Sequence, residues 1–278
     1  IRDRILEFAG ISVEPVDLYE ILGRVDRLAD NDRAVKTKLN KITSYTNVDS
    51  IPAEGLLKMA KFGTVVDKWV KENQLVGTAI QCWTSIQENY GVNVCTLMSM
   101  MSEGGMPSAC EVDVTGVLTM YATQLASQKP SALVDWNNNY GDEDDKVVLF
   151  HCGNWAKNFI PDGAIDRAPI LGTIVGIENT YGALAGRTPA GPLTFTRLST
   201  NDVLGEITAY VGEGSLTDDA LNTFGTRAVA HIPKLDALMR FICLNGFEHH
   251  VVMNQSHIAS VLTEAFTKYL GWNTYMHS

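Results

Sequence analysis

Residues 113–134 read DVTGVLTMYATQLASQKPSALV, and the fold turns on how they divide. Asp113 to Gln128 carries apolar residues at helical spacing and reads as a helix. Ala132-Leu133-Val134 then reads as a strand. Upstream, Val76-Gly77-Thr78-Ala79-Ile80-Gln81-Cys82 reads as a buried strand. Downstream, Asp142-Glu143-Asp144-Asp145 is a solvated acidic turn, and Lys146-Val147-Val148-Leu149-Phe150 is the next strand. Strand, helix, strand at this spacing predicts an α/β domain built on a parallel sheet.

On the N-terminal side the first 75 residues are charged and helix-rich. One amphipathic stretch starts at Asp17-Leu18-Tyr19-Glu20-Ile21-Leu22, and a second runs from Ile51 to Glu72 with Pro52 near its start. On the C-terminal side the texture changes from about Asn154. Glycine and proline punctuate Pro161 to Pro192, strand-like segments follow at Leu193–Leu198, Gly205–Val211 and Thr226–His231, and Lys234–Leu244 reads as a helix. A last helix, Ser256 to Tyr269, stops at Gly271. The expected organisation is an α/β domain over 1–160 and a β-rich C-terminal domain over 161–278, with the boundary between 155 and 170. A length of 278 residues suits two domains of about 150 each.

Composition narrows the function classes. A net charge of −10 argues against nucleic acid, because phosphate contacts need clustered Lys and Arg. No apolar run approaches the roughly 18 residues of a membrane span, and the signal-peptide pattern is absent. The cysteines at 82, 95, 110, 152 and 243 are odd in number and contain no CxxC pair, which predicts reduced thiols in a cytoplasmic protein. The chain opens IRDRILEFAG with no initiator Met, which is expected of the later part of a longer polypeptide.

The densest run of unusual residues is Glu103 to Gly116, EGGMPSACEVDVTG. Gly104, Gly105 and Pro107 form an entry loop, and Glu111 stands just before the helix, aimed at whatever that loop binds. The plain alternative is an acid complementing the helix dipole, worth about 0.3–1 kcal/mol. Asp135 lies at the carboxyl end of the strand Ala132–Val134, where parallel sheets bind ligands. It meets Glu111 only if the loop before Asp113 folds back, and taken alone it is as well suited to capping a turn. His151 ends the strand Lys146–Phe150 in the same manner. A Cys–His nucleophile pair with Cys152 is disfavoured, since neighbours on a strand point to opposite faces. Among Gly246-Phe247-Glu248-His249-His250-Val251-Val252 that alternation lets one histidine of the pair enter a site. Two carboxylates and one imidazole suit Mn²⁺ or Mg²⁺ better than zinc. Trp83, Trp136 and Trp155 offer apolar faces to a ligand or pack in the core.

These residues resemble the C-terminal half of the L-fucose isomerase and L-arabinose isomerase superfamily, nearest its fucose isomerase-like branch. The likeness rests on Cys110-Glu111-Val112-Asp113-Val114-Thr115-Gly116-Val117-Leu118-Thr119-Met120, on Val134-Asp135-Trp136-Asn137, on Phe150-His151-Cys152-Gly153-Asn154 and on Glu248-His249-His250, in that order. The resemblance implies an aldose–ketose isomerase that acts on a free monosaccharide through an ene-diol. It implies Mn²⁺, or another divalent ion such as Mg²⁺ or Co²⁺, held by Glu111, Asp135 and His250. The two carboxylates would double as the acid–base pair, and His151, Trp136 and Asn137 would bind substrate. It also implies a homo-oligomer and an N-terminal α/β domain that this chain lacks. The alternative expectation is a non-catalytic sugar-binding relative, or an inactive fragment without the domain that closes its site.

Overall fold

The computed structural model describes residues 3–278, so Ile1 and Arg2 at the head of the first helical pattern lie outside the described residues. Helix α1 (Asp3–Phe8) is followed by α2 (Leu18–Asp26), α3 (Arg33–Tyr45) and α4 (Ala53–Glu72). Both middle helices start as their sequences dictate: Asp17 caps α2 through the Tyr19 amide and Asp32 caps α3 through the Ala34 amide. Next come β1 (Thr78–Ile80), α5 (Ser85–Tyr90), α6 (Cys95–Glu103), β2 (Ser108–Cys110) and α7 (Val114–Ser127). β1 and β2 pair in parallel, with Thr78 opposite Ser108 and Ile80 opposite Cys110.

The second sheet is larger. It takes β3 (Ala132–Asn139), β4 (Lys146–His151), β5 (Ala164–Asp166), β6 (Ala183–Arg187), β7 (Gly191–Asn201), β8 (Glu206–Thr217), β9 (Thr226–His231), β10 (His250–Asn254) and β11 (Asn273–Met276). Helix α8 (Pro169–Val175) precedes β6, α9 (Leu235–Leu244) precedes β10, and α10 (Ala259–Glu264) runs on into a π-helical turn at Ala265–Tyr269. The strand order is β11-β8-β7-β10-β3-β4-β9-β6-β5, and β8 pairs a second time with β9. That extra ladder closes β8, β7, β10, β3, β4 and β9 into a ring of six antiparallel strands without a free edge. The chain thus holds a small parallel sheet among helices followed by a large mixed sheet, as the sequence predicts.

One part of that expectation is corrected. The strands Ala132–Val134 and Lys146–Phe150 do not form a parallel pair: β3 and β4 are antiparallel neighbours, with Asp135 opposite Phe150. The acidic turn between them is too short for a crossover, which needs a dozen residues or more, so it closes a hairpin. Both strands stand in the ring, which therefore draws on residues from either side of 160.

Alternation along the strands sorts the core. Val134, Leu149, Ala228, Val251, Phe195 and Tyr210 join the main apolar core, whereas Leu133 and Val252 pack with Ala109 and Met120 beneath α7. Helix α7 is thereby laid across β3 and β10, and its N-terminus comes to rest beside Asp135 and His250.

Candidate functional site

The turn before α7 is built under strain. Glu111 and Val112 both have left-handed backbones, at φ 59° and φ 56°. Two successive non-glycine residues there cost about 1–2 kcal/mol each, and the β-branched Val112 is the worse placed. The turn is held from several sides: the Asp113 amide donates to Cys110 O at 3.0 Å and the Val114 amide to Val112 O at 2.9 Å. Asp113 caps the helix by accepting from the Gly116 amide at 2.7 Å, and a Cβ on Gly116 would lie 2.5 Å from that carboxylate. The loop does fold back before the helix, as a meeting of Glu111 with Asp135 requires, and it carries Glu111 over the end of β3.

Asp135 and His250 are direct register partners on β3 and β10, so their side chains share a face. His250 Nε2 lies 3.5 Å from Asp135 Oδ1 and 3.8 Å from Glu111 Oε2. His151, at the end of β4, places its ring centroid 5.6 Å from that of His250. Donor atoms of Glu111, His151 and His250 all lie within 4.8 Å of one another, as do those of Asp135, His249 and His250. Three of the atoms facing this point, Asp135 Oδ1, His151 Nε2 and His250 Nε2, are buried and have no hydrogen-bond partner among the described residues. Buried polar atoms are almost always paired, so three orphans converging on one point mark a place where a ligand belongs.

The two buried histidines differ in which nitrogen they offer. His250 Nδ1 stands 2.8 Å from Asp113 Oδ2 and donates to it, which leaves Nε2 with its lone pair free. His151 Nδ1 accepts from the Cys152 amide at 2.8 Å, so the neutral ring carries its proton on Nε2. One ring presents a ligand and the other a hydrogen-bond donor. The Glu111 and Asp135 carboxylates each approach His250 Nε2, but their donor atoms fall into two separate close sets, Glu111 with His151 and His250, and Asp135 with His249 and His250; carboxylate oxygens with an imidazole are a donor type that suits a hard divalent cation. Cys110 and Cys152 also approach His151, their thiol sulfurs and a ring nitrogen lying within 4.8 Å of one another, and Cys152 donates its backbone amide to Nδ1 as well. His249 points outward with its side chain 65% exposed, though its Nε2 comes to 3.6 Å from Asp135 Oδ1.

Behind His250 lies a network that sequence reasoning did not find. Asp113 is held by Arg197 through two contacts, Nη1 to Oδ2 at 2.5 Å and Nη2 to Oδ1 at 3.0 Å. Arg197 also donates to Thr115 Oγ1 and to Glu248 Oε2, and Glu248 accepts from Ser199. Arg197 is 1% exposed. Burial alone would push the Asp113 carboxyl up, but the His250 hydrogen bond and the Arg197 charge hold it well below the usual carboxylate range. Burial likewise pushes the His250 imidazole down, and Asp113, Asp135 and Glu111 more than reverse this, so its pKa is raised. The signal for Arg197 was present: it is the lone charge in the strand Gly191–Asn201.

The depressed Asp113 pKa sets a pH dependence. Its stabilising contribution is complete above the unfolded-state value of about 3.9 and is lost as pH falls from there toward the folded value. Urea unfolding of the chain at a series of pH values should therefore show a fall in stability below about pH 4 that Asp113→Asn lacks. An acid limb of equal depth in the variant would assign the loss to other carboxylates.

The substrate-binding candidates separate. Trp136 lies on the face opposite Asp135, edge-on to Phe195 at 5.5 Å, and its indole donates to Tyr210 Oη at 2.9 Å. Asn137 is exposed, at a bulge between Trp136 and Asn138. Trp155 is fully buried and donates to Leu133 O.

Residues 149–277 match the family model for the L-fucose isomerase C-terminal domain. The chain is 25% identical over 146 residues to a sulfoquinovose isomerase of Alkalicoccus urumqiensis, a match covering 52% of this chain and 32% of that protein. It is 24% identical over 152 residues to the sulfoquinovose isomerase of Clostridium sp. (strain MSTE9), covering 55% and 34%. For that of Priestia aryabhattai the identity is 26% over 147 residues, covering 52% and 32%. The match thus spans about a third of the length of these relatives. Residues 149–277 are thus similar to an L-fucose isomerase C-terminal domain, and the chain is similar to these sulfoquinovose isomerases over about half of its length.

Proposed function

We propose that this protein is a metal-dependent aldose–ketose isomerase acting on a free monosaccharide. The observation that carries the reading is the convergence of the orphaned Asp135 Oδ1, His151 Nε2 and His250 Nε2 beside the Glu111 carboxylate. Glu111, Asp135 and His250 would hold Mn²⁺, or a similar ion such as Mg²⁺ or Co²⁺. Bound there, the metal would polarise the sugar carbonyl and its neighbouring hydroxyl, supplying several kcal/mol of charge stabilisation.

The chain's own residues supply the proton traffic. Isomerisation moves one proton between adjacent carbons and another between their oxygens. A carboxylate oxygen of Asp135 or Glu111 takes the C–H proton, and on collapse of the planar ene-diol returns it to the neighbouring carbon, a contribution of about 10²–10⁴-fold. His151 donates a hydrogen bond from Nε2 to a sugar oxygen and steadies the charge that develops there, while the second carboxylate takes the hydroxyl proton from one sugar oxygen and returns it to the other. Asn137, exposed beyond Asp135, would meet a hydroxyl, whereas Trp136 supports β3 from the core side. The names of the relatives give sulfoquinovose as their sugar, and a sugar is the substrate class this reading assigns here. Glu111, with its side chain 40% exposed, forms the open side of the cluster. Closure of that side by a further domain or by a second subunit of a homo-oligomer is part of the proposal.

His151 gives the sharpest local test. His151→Ala should lower turnover by about 10²-fold while Mn²⁺ still binds, because the ring gives a proton rather than a lone pair. Calorimetric Mn²⁺ titration alongside an aldose–ketose assay reads both quantities. Loss of metal binding in this variant would make His151 a ligand and overturn the role given to it.

A further inference from the structure

The chain has five cysteines, and four of them meet in one place. Cys82 lies just beyond β1, Cys95 opens α6, Cys110 ends β2 and Cys152 follows β4. The thiols of Cys95, Cys110 and Cys152 interact pairwise, and Cys82 joins them through Cys110. Cys110 Sγ also stands 3.9 Å from Met98 Sδ. Cys82 and Cys95 are 1% exposed and Cys110 is fully buried, whereas Cys243, on α9, is exposed.

A buried free cysteine packs as a small hydrophobe, so burial by itself asks for no ligand. Convergence from separate segments beside an imidazole is another matter. The sulfurs of Cys110 and Cys152 and a ring nitrogen of His151 lie within 4.8 Å of one another, and His151 is 2% exposed. A tetrahedral zinc ion, with bonds of about 2.3 Å to sulfur and about 2.0 Å to nitrogen, holds its donors about 3.5–3.8 Å apart. Donors already this close reach that spacing by shifts of about an ångström.

We propose that Cys95, Cys110, Cys152 and His151 form a structural zinc site, separate from the carboxylate cluster of Glu111 and Asp135. Three thiolates and one imidazole complete a closed tetrahedral shell, and each thiol releases its proton as its bond to zinc forms. Thiolates select a softer ion than carboxylates do, so two metals sort to opposite sides of the same histidine. The zinc takes the Nδ1 lone pair that now accepts from the Cys152 amide, and Nε2 keeps its proton. Cys110 leads directly into the strained turn at Glu111 and Val112, and Cys152 directly follows His151. The ion therefore pins both segments from behind and ties α6 and β2 to the end of β4.

The test is ultraviolet titration of the fully reduced, metal-free full chain with Cd²⁺, followed by displacement with Zn²⁺. Cadmium bound to thiolate gives a charge-transfer band that oxygen and nitrogen ligands do not. The band should saturate at one ion per chain, and Zn²⁺ should abolish it. Cys152→Ser should weaken Zn²⁺ binding by about a hundredfold or more, with Cys95→Ser as a second variant if the first fails to fold. Cys243→Ser should leave the band and the affinity unchanged. Glu111→Gln should keep the band while losing Mn²⁺, which separates this site from the isomerase reading. No band in the reduced chain, a band that survives both Cys95→Ser and Cys152→Ser, or a band lost in Glu111→Gln would each overturn the zinc site.

Discussion

Glu111→Gln is expected to weaken Mn²⁺ binding by about a hundredfold or more and to abolish turnover, with the chain still folded. Outer hydrogen-bond partners of metal ligands are themselves worth about 10–100-fold, so a direct carboxylate should reach at least the top of that range. Gln keeps the size and the strained backbone of Glu111 but removes the charge. The side chain is 40% exposed and makes no hydrogen bond among the described residues, so stability should change by no more than about 0.5 kcal/mol. A calorimetric titration of both proteins, with thermal melts as the control, reads the result. Unaltered Mn²⁺ affinity would take Glu111 out of the ligand set and leave it as the acid that complements the dipole of α7.

Arg197→Met should be the most damaging single substitution behind the site. It strands the buried Asp113 carboxylate and removes a cation from Glu248, and breaking a buried ion pair on one side costs about 3–5 kcal/mol. The loss should appear as a lowered urea midpoint with an unchanged slope. Asp113, which fixes the His250 tautomer, loses the guanidinium that anchors it, so Mn²⁺ affinity should also drop by about 10-fold or more. Asp113→Asn in the same background should cost less than the two changes summed, because the stranded charge is then gone. A stability loss under about 1 kcal/mol for Arg197→Met would mean that solvent reaches the pair and that the network does not hold β7 against α7.

The elements legible in the sequence were those with a strong local pattern. The helices over Leu18–Asp26, Ala53–Glu72, Val114–Ser127 and Leu235–Leu244 follow from apolar spacing and their N-terminal signals, and the strand Thr226–His231 was readable to the residue. Helices α3, α5 and α6 were not picked out. α5 is only six residues long, and α6 is apolar on most sides, so periodicity carries little information there. The direction of β4 against β3 was misjudged because strand periodicity reports burial, not pairing; the length of the acidic turn was the better guide.

For the site, residue type marked Glu111, Asp135 and His151 as candidates with plain structural alternatives, and the order of four motifs, through the family resemblance, joined them to His250. Alternation let one histidine of the pair enter the site, the family resemblance pointed to His250, and His250 is 4% exposed whereas His249 faces outward. What only the tertiary structure decided is how those residues meet. Asp113, Arg197 and Glu248 lie on three different segments, and a hydrogen-bond network among them has no one-dimensional signature. The tautomers of His151 and His250 depend on partners, Cys152 N and Asp113 Oδ2, of which the second is 137 residues away in the chain. The thiols of Cys95, Cys110 and Cys152 likewise meet only because α6, β2 and the end of β4 pack together. Local periodicity is set by side chains a few residues apart, whereas register and convergence are set by which distant surfaces can be buried together, and that is a property of the folded chain.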